Sequence, residues 1–177
     1  MLDPSPHEIY ASPKYEEKNL RKCIESFCGI VKRFVIVESF STDGTEALCK
    51  QLDSELRANG SQLDFYQNKW MDYATQLNWG LTQTNITTEW SMRFDSDEEL
   101  TEELVNEIEQ KLPVVKEPVN GIILRRRVYF MCSSISFCSH IAFPVRKIRS
   151  NSSGYLPPCL IHRPMKYTRL RSMKKKI

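Results

Sequence analysis

Short apolar runs alternate with amphipathic segments through the first two thirds of this chain. Apolar residues at helical spacing predict four helices, over about Glu16–Ile30, between Thr45 and Asn59, over about Tyr73–Thr82, and between Thr101 and Leu112. Short apolar or alternating runs predict strands at Phe34–Val37, Leu63–Tyr66, Trp90–Phe94, Gly121–Phe130 and Pro144–Ile148. Strands and helices in alternation predict an α/β fold with a mainly parallel sheet.

Both ends of the chain depart from this pattern. Residues 1–15 contain three prolines, which suit a central strand badly, so we expect the sheet to lack its usual first strand. After about residue 131 the alternation decays. We therefore expect one domain over residues 1–149, with an incomplete N-terminal strand, followed by a basic tail without fixed structure over residues 150–177. On this interpretation the domain is truncated at both ends.

The net charge of +3 conceals a division of charge along the chain. Residues 1–117 hold 12 Lys and Arg and all 22 Asp and Glu, whereas residues 118–177 hold 13 Lys and Arg and no acid. A basic segment of this kind favours polyanions such as phosphates, nucleic acid or anionic lipid headgroups. An unstructured basic tail explains residues 150–177 equally well.

The expected location is the cytoplasm. The sequence contains no apolar run of about 18 residues and no signal-peptide pattern at its N-terminus. Its six cysteines form no C-x-x-C pair, which argues against a structural zinc site and favours reduced, buried thiols.

The most informative stretch is Asp95-Ser96-Asp97, directly after the apolar run that ends at Phe94. Two carboxylates one residue apart at the end of a buried strand are unfavourable unless a cation neutralises them. Oxygen ligands of this kind suit Mg²⁺ or Mn²⁺ shared with a phosphate. A helix start explains the same acids: Ser96 with Glu99 fits a capping box, or else Thr101 caps the helix.

Several segments, in this order along the chain, resemble the family 2 glycosyltransferases of the GT-A fold. They particularly resemble members from bacterial synthesis of lipopolysaccharide, capsule or exopolysaccharide. The similar segments are residues 12–20, 35–45 with Ser41-Thr42-Asp43-Gly44-Thr45, 70–81, 89–104 around the D-x-D motif, 121–130 and, more weakly, 143–149. The resemblance implies a Rossmann-like sheet with helices on both faces. It also implies transfer of a sugar from a nucleotide-diphosphate sugar to a glycan or lipid-linked acceptor.

The resemblance also assigns roles to single residues. Glu38 would accept a hydrogen bond from the donor base, and Tyr15 would be the aromatic residue that holds this base. Asp95 would lie near the ribose or the metal, and Asp97 would bind the divalent cation, Mg²⁺ or Mn²⁺, directly. Two further residues, Gln76 and Asn78, lie where the family contacts the donor, although a polar helix face explains them equally well.

No catalytic base is assigned. Inverting members of the family need a carboxylate beyond the D-x-D strand, and this sequence has no Asp or Glu after Glu117. His140 and His162 are the alternative proton acceptors. Glu98 and Glu99 lie nearer the metal, but the acids of a helix start explain them more simply. A second hypothesis is therefore a degenerate relative that binds nucleotide-sugar without catalysis.

A third hypothesis is a nucleic-acid-binding protein that uses Arg125-Arg126-Arg127 and the basic tail. On an alternating strand Arg126 faces away from the other two arginines, and no nucleic-acid module motif is present. We therefore expect no nucleic-acid partner. Peripheral contact with the anionic inner face of the membrane is the alternative use of this positive charge.

Overall fold

The computed structural model describes residues 6–11, 17–84, 88, 90–115, 119–130, 133–144 and 166–176. The strands in chain order are β1 (Pro6–Ala11), β2 (Arg33–Glu38), β3 (Gln62–Gln67), β4 (Trp90–Phe94), β5 (Glu98–Glu99), β6 (Val119–Phe130), β7 (Ser133–Pro144) and β8 (Lys166–Lys176). The helices are α1 (Glu17–Ser26), α2 (Thr45–Ala58), α3 (Tyr73–Gln83) and α4 (Glu102–Lys111), and a 3-10 turn (Leu112–Val114) follows α4. The α/β fold is confirmed.

All eight strands join in one sheet, in the order β3-β2-β1-β4-β7-β6-β8-β5. The first four strands in this order run parallel to one another. The chain builds outward from β1 to β2 and β3, and then returns to the other side of β1 as β4. The direction of winding therefore reverses between β1 and β4, at the position where open α/β sheets bind their ligands.

The expectation of a missing first strand was wrong. Residues Pro6–Ala11 form β1 in the centre of the parallel part, with β2 on one side and β4 on the other. Pro6 is tolerated because it is the first residue of the strand, where the missing N–H matters least, and the register with β4 is irregular between Pro6 and Glu8. The other two prolines, Pro4 and Pro13, lie outside the described residues.

Helices cover both faces of the parallel strands. On β2, Phe34 and Ile36 belong to the large core formed with α1, α2 and α4, whereas Val35 and Val37 pack with Leu77, Trp79 and Leu81 of α3. This division follows the two-residue period of a strand. The ring of Phe27, the residue directly after α1, meets Phe94 of β4 edge to face at 4.3 Å between centroids, which places the end of α1 against the strand that precedes the D-x-D motif.

The second half of the chain differs most from expectation. The strand expected at Pro144–Ile148 lies outside the described residues except for Pro144, which is the last residue of β7. Part of the expected tail, Lys166–Lys176, is β8, which pairs in parallel with β6 and antiparallel with β5. Its register sets Lys174 opposite Glu99 and Lys175 opposite Glu98. Opposite charges across these two strands are favourable.

Two further features bear on the sequence-based expectations. Thr101 caps α4, because its hydroxyl oxygen accepts the N–H of Leu104, so the second of the two capping interpretations is confirmed. Within the part of the chain that the structure describes, no helix is long and apolar enough to cross a membrane.

Candidate functional site

The loops that follow β2, β3 and β4 lie at the same edge of the sheet, because these strands are parallel. They are residues 39–44, residues 68–72 and the turn after Phe94. Glu38 ends β2 directly before the first of these loops, and Asp95 begins the last. Three of the four exposed large apolar side chains in the described residues also lie here: Phe40, Met71 and Tyr73. This edge is therefore the candidate site.

Asp95, Ser96, Asp97 and Glu98 form one tight turn. The N–H of Glu98 donates to the carbonyl oxygen of Asp95 at 3.0 Å, which is the bond that closes a β-turn. In return, the N–H of Asp95 donates to Oε2 of Glu98 at 3.2 Å. Glu98 and Glu99 then form β5, so these acids belong to a strand and not to the start of a helix.

Two residues of helix α1 hold this turn in place. The thiol of Cys23 lies 3.8 Å from the carbonyl oxygen of Asp95 and donates to it. On the far side of the turn, the N–H of Leu100 donates to the hydroxyl oxygen of Ser26 at 3.0 Å. The backbone on both sides of Asp97 is thus attached to the same helix, and this restricts where the two aspartates can lie.

A cation and two aromatic rings lie beside Asp95. The guanidinium group of Arg93 donates to Oδ1 of Asp95 at 2.7 Å, and it lies 5.4 Å from the centre of the Tyr73 ring. Tyr73 in turn meets Trp70 edge to face at 4.8 Å. A cation over an aromatic face is favourable. The sequence analysis did not name Arg93 as a site residue. Its position between the buried residues Met92 and Phe94 nevertheless indicates that it lies on the face of β4 opposite to theirs.

The turn is strongly acidic. Burial is the largest cause of the raised pKa of the Cys23 thiol, and the negative charges of Glu98, Asp97, Glu99 and Asp95 raise it further. These four acids therefore lie close enough to the thiol to disfavour another negative charge. Such a concentration of carboxylates is one that a divalent cation would relieve.

The predicted metal ligands fit a cation that is shared with a substrate. In the described residues, no group of three or more His, Cys, Asp or Glu side chains is arranged as a complete metal site. Two carboxylates from one turn are nevertheless the usual protein contribution to Mg²⁺, which keeps waters and takes its other ligands from substrate phosphates. The oxygen donors of Asp95 and Asp97 suit such a hard ion.

Glu38, the predicted base-binding acid, is the last residue of β2 and is only 1% exposed. Its Oε1 accepts the N–H of Ser41, and the side-chain amide of Gln67 donates to its Oε2 at 3.5 Å. The carboxylate therefore shapes the loop after β2. Asp43 has the local role expected for an Asp-Gly turn, since its Oδ1 accepts both the N–H and the hydroxyl of Thr45.

Phe40 occupies this loop with φ of 56°, in the left-handed region. A bulky residue is rarely found there, because its Cβ approaches the neighbouring carbonyl oxygen. Its side chain is 59% exposed, so core packing does not hold the strained backbone in place. Backbone strain of this kind is concentrated at functional sites. The sequence pattern did not predict it.

Gln76 and Asn78 have different environments. Gln76 is buried, and its amide nitrogen donates to the carbonyl oxygen of Val37 at 3.4 Å and to the hydroxyl of Ser39 at 3.3 Å. Its amide oxygen accepts from Asn68 at 2.8 Å. Gln76 thus connects the loops after β2 and β3. Asn78 is half-buried and two residues further along α3, so the helix does not bring the two side chains to one face.

Three other residues named from the sequence are Tyr15, His140 and His162. Tyr15 and His162 lie outside the described residues. His140 lies on β7 opposite Leu124 of β6. Of the expected donor-site residues, the structure therefore brings Asp95 and Asp97 together in one turn and links Glu38 to Gln76 through Ser39 and Gln67–Asn68.

Comparison with known proteins decides the family. The model of glycosyl transferase family 2 matches residues 13–169. This chain belongs to that family. Proteins similar to it include the lipopolysaccharide core biosynthesis glycosyltransferase LpsC of Rhizobium meliloti, 36% identical over 118 residues. An uncharacterized glycosyltransferase of Rickettsia felis is 30% identical over 96 residues. The matches cover 66% and 54% of this chain, but only 40% and 30% of these two relatives.

Solved structures confirm the GT-A fold. TarS of S. aureus in complex with UDP aligns with a TM-score of 0.67 at 12% identity, covering 97% of this chain and 60% of TarS 1-349. Mannosyltransferase PcManGT of Pyrobaculum calidifontis, in complex with GDP-Man and Mn²⁺, aligns with a TM-score of 0.61 at 15% identity, covering 85% of this chain and 48% of that one. At these identities the likeness concerns the fold.

Proposed function

We propose that this family 2 chain binds a nucleotide-diphosphate sugar with the help of a divalent cation and transfers the sugar to a glycan or lipid-linked acceptor. The observation that carries this proposal is the Asp95–Glu98 turn. It follows β4, beside the point where the winding of the sheet reverses. Backbone hydrogen bonds and helix α1 hold its two aspartates at the ligand-binding edge of the sheet.

Asp97 and Asp95 would hold Mg²⁺ or Mn²⁺ together with the diphosphate of the donor. When bound, such a cation offsets the negative charge that develops on a departing nucleoside diphosphate. Asp97 is the direct ligand in this proposal. Asp95, which already accepts a hydrogen bond from Arg93, serves the ribose or the metal. Complexes of the structural neighbours with UDP and with GDP-Man and Mn²⁺ support this choice of donor and cation.

The base of the donor would lie at the other end of the same edge. Glu38 is the acid proposed to accept a hydrogen bond from the base, and Tyr15 is the aromatic residue proposed to hold it. Gln76 holds the end of β2 and the start of the loop after Glu38, as its contacts with Val37 and Ser39 indicate. Asn78 is retained as a donor contact on α3. The same proposal includes a glycan or lipid-linked acceptor. It also places the protein in the cytoplasm, in peripheral contact with the anionic inner face of the membrane.

A thermal-shift experiment tests donor binding. We expect Mn²⁺ with UDP or GDP to raise the melting temperature by about 5–10 °C when the ligands are at about 100 times Kd, since that saturation contributes about 2.7 kcal/mol. Asp97→Ala should abolish the shift. Glu109→Ala, which removes an exposed acid of α4, is the matched control and should retain it. A shift that does not require the metal, or that survives Asp97→Ala, would disprove the assignment.

A second candidate function is donor binding without catalysis. It is favoured by the absence of any Asp or Glu after Glu117, where inverting members of the family supply a base. Release of nucleoside diphosphate from a nucleotide-sugar separates the two candidates. Release or transfer that Asp97→Ala abolishes supports the transferase. Metal-dependent binding with no release over the same period supports the binding protein.

A further inference from the structure

Glu98 has an unusual position for a carboxylate. It directly follows the D-x-D motif, yet none of its surface is exposed. Removing a carboxylate from water is unfavourable by several kcal/mol unless hydrogen bonds or charges compensate. One compensating bond is the donation of the Asp95 N–H to Oε2 of Glu98, at 3.2 Å. The backbone of Glu98 makes a second bond to the same residue, because its N–H donates to the carbonyl oxygen of Asp95.

These two bonds make a closed ring between the first and last residues of the turn. Ser96 and Asp97 occupy its two central positions, and Ser96 is itself buried. The direction in which Asp97 leaves the turn is therefore set by the geometry that Glu98 and Asp95 impose on each other. The strand β5 and its antiparallel partner β8 hold the backbone of Glu98 in turn.

We propose that Glu98 is the positioning residue of the metal-binding turn. It acts through the reach of its side chain to the Asp95 N–H and not as a metal ligand. This inference rests on the proposed function, because it assumes that Asp95 and Asp97 bind a cation. It adds a residue that supports the motif by accepting the backbone N–H of Asp95.

Two substitutions separate reach from charge. Glu98→Gln keeps the length of the side chain and an oxygen that accepts the Asp95 N–H, but removes the negative charge. Glu98→Asp keeps the charge but shortens the side chain by one carbon–carbon bond, about 1.5 Å, so that the oxygen no longer reaches the N–H. Glu99→Gln, at the neighbouring half-buried position of β5, is the control for loss of a nearby charge.

The measurement is the Kd for Mn²⁺ in the presence of UDP or GDP, from the electron paramagnetic resonance signal of the free ion. We expect Glu98→Gln and Glu99→Gln to bind Mn²⁺ within about threefold of the unchanged chain, and Glu98→Asp to bind at least about tenfold more weakly. The opposite order, with Glu98→Gln weak and Glu98→Asp unchanged, would show a metal ligand and overturn the proposal. Equal binding by both variants would also overturn it.

A second measurement keeps the inference separate from the proposed function and from any loss of folding. Amide exchange by nuclear magnetic resonance, without metal, should show the Asp95 N–H protected in the unchanged chain and in Glu98→Gln but not in Glu98→Asp. If the unchanged chain binds no Mn²⁺ with either nucleotide, the proposed function fails, whatever the exchange data show. If it binds Mn²⁺ but Asp95 exchanges freely, the positioning role alone fails.

Discussion

The hydroxyl oxygen of Ser26 accepts the N–H of Leu100 at 3.0 Å and thereby attaches the chain just beyond the D-x-D turn to the last residue of α1. The same hydroxyl donates to the carbonyl oxygen of Cys23 at 2.7 Å, so a single side chain closes the end of the helix and holds the strand. Because Leu100 is buried, water cannot replace this acceptor without local rearrangement.

Ser26→Ala should therefore lower the free energy of unfolding by about 1–3 kcal/mol, the usual effect of leaving a buried donor without its partner. Urea denaturation measures the change. The control is Ser54→Ala, which removes an exposed hydroxyl that donates to Lys50 within α2, and it should change stability by less than about 0.5 kcal/mol. Equal effects of the two substitutions would contradict the role given to Ser26.

Phe40→Gly should stabilise the protein, because glycine adopts a positive φ without the steric penalty of a Cβ. The penalty removed is about 1–2 kcal/mol, and the greater freedom of glycine in the unfolded chain offsets part of it, so the expected gain is about 0.5–1 kcal/mol. Lys69→Gly, at an exposed loop position without a positive φ, should instead destabilise slightly. Denaturant midpoints compare the two, and destabilisation by Phe40→Gly would mean that its ring makes a favourable contact.

Arg33→Met should destabilise the sheet strongly. The guanidinium group lies 2.7 Å from Oδ2 of Asp64, with the two side chains only 13% and 25% exposed, and it also donates to the carbonyl oxygen of Thr84 at 2.8 Å. Its loss leaves a largely buried carboxylate and a carbonyl without this donor, which should lower the unfolding free energy by about 2–4 kcal/mol. Lys50→Met removes an exposed pair with Glu46 and should have an effect below about 0.5 kcal/mol.

The buried thiols should resist alkylation. Burial raises the pKa of Cys49 to about 12, with the negative charges of Glu38 and Glu46 adding to it, and burial likewise raises the pKa of Cys23. Cys28 is exposed. Because only the thiolate reacts rapidly, iodoacetamide at pH 8 should modify Cys28 before the two buried cysteines, which should react after unfolding in urea. Peptide mass mapping provides the order of reaction.

The same raised pKa values determine how stability depends on pH. The folded chain retains thiol protons that the unfolded chain releases above about pH 8.5, so the unfolded state binds fewer protons and stability falls as pH rises towards 12. Replacing Cys49 by Val removes one of these thiols and should reduce the fall measured between pH 8 and pH 10. An unchanged slope would contradict the buried, protonated state of Cys49.

Much of the first half of the fold could be predicted from local pattern. The predicted strands and helices between residues 16 and 112 agree with the structure to within a few residues, because apolar periodicity records which face of each element is buried. The exception was β1. Counting prolines suggested that no strand was present, whereas only Pro6 lies in it, at its first position.

The second half was poorly predicted because its strands obtain their stability from distant partners. Strand β8 has few apolar residues, and its place between β6 and β5 depends on pairing with residues 46 or 47 positions earlier in β6 and 75 to 77 positions earlier in β5. The acidic first part and the basic last part of the chain, whose separation suggested a tail, meet where β5 pairs with β8. Glu98 lies opposite Lys175 there, and Glu99 opposite Lys174. Local periodicity carries no information about such pairing.

The sequence by itself determined the alternation of elements, the family, and which residues come to the edge that carries the candidate site, since parallel strands place their following loops together. Only the tertiary structure decided what those residues contact. It made Glu98 a buried partner of Asp95, Arg93 the cation beside the same acid, and Gln76 a support for the loop after Glu38. These roles depend on distances between side chains and backbone that no spacing along the chain specifies.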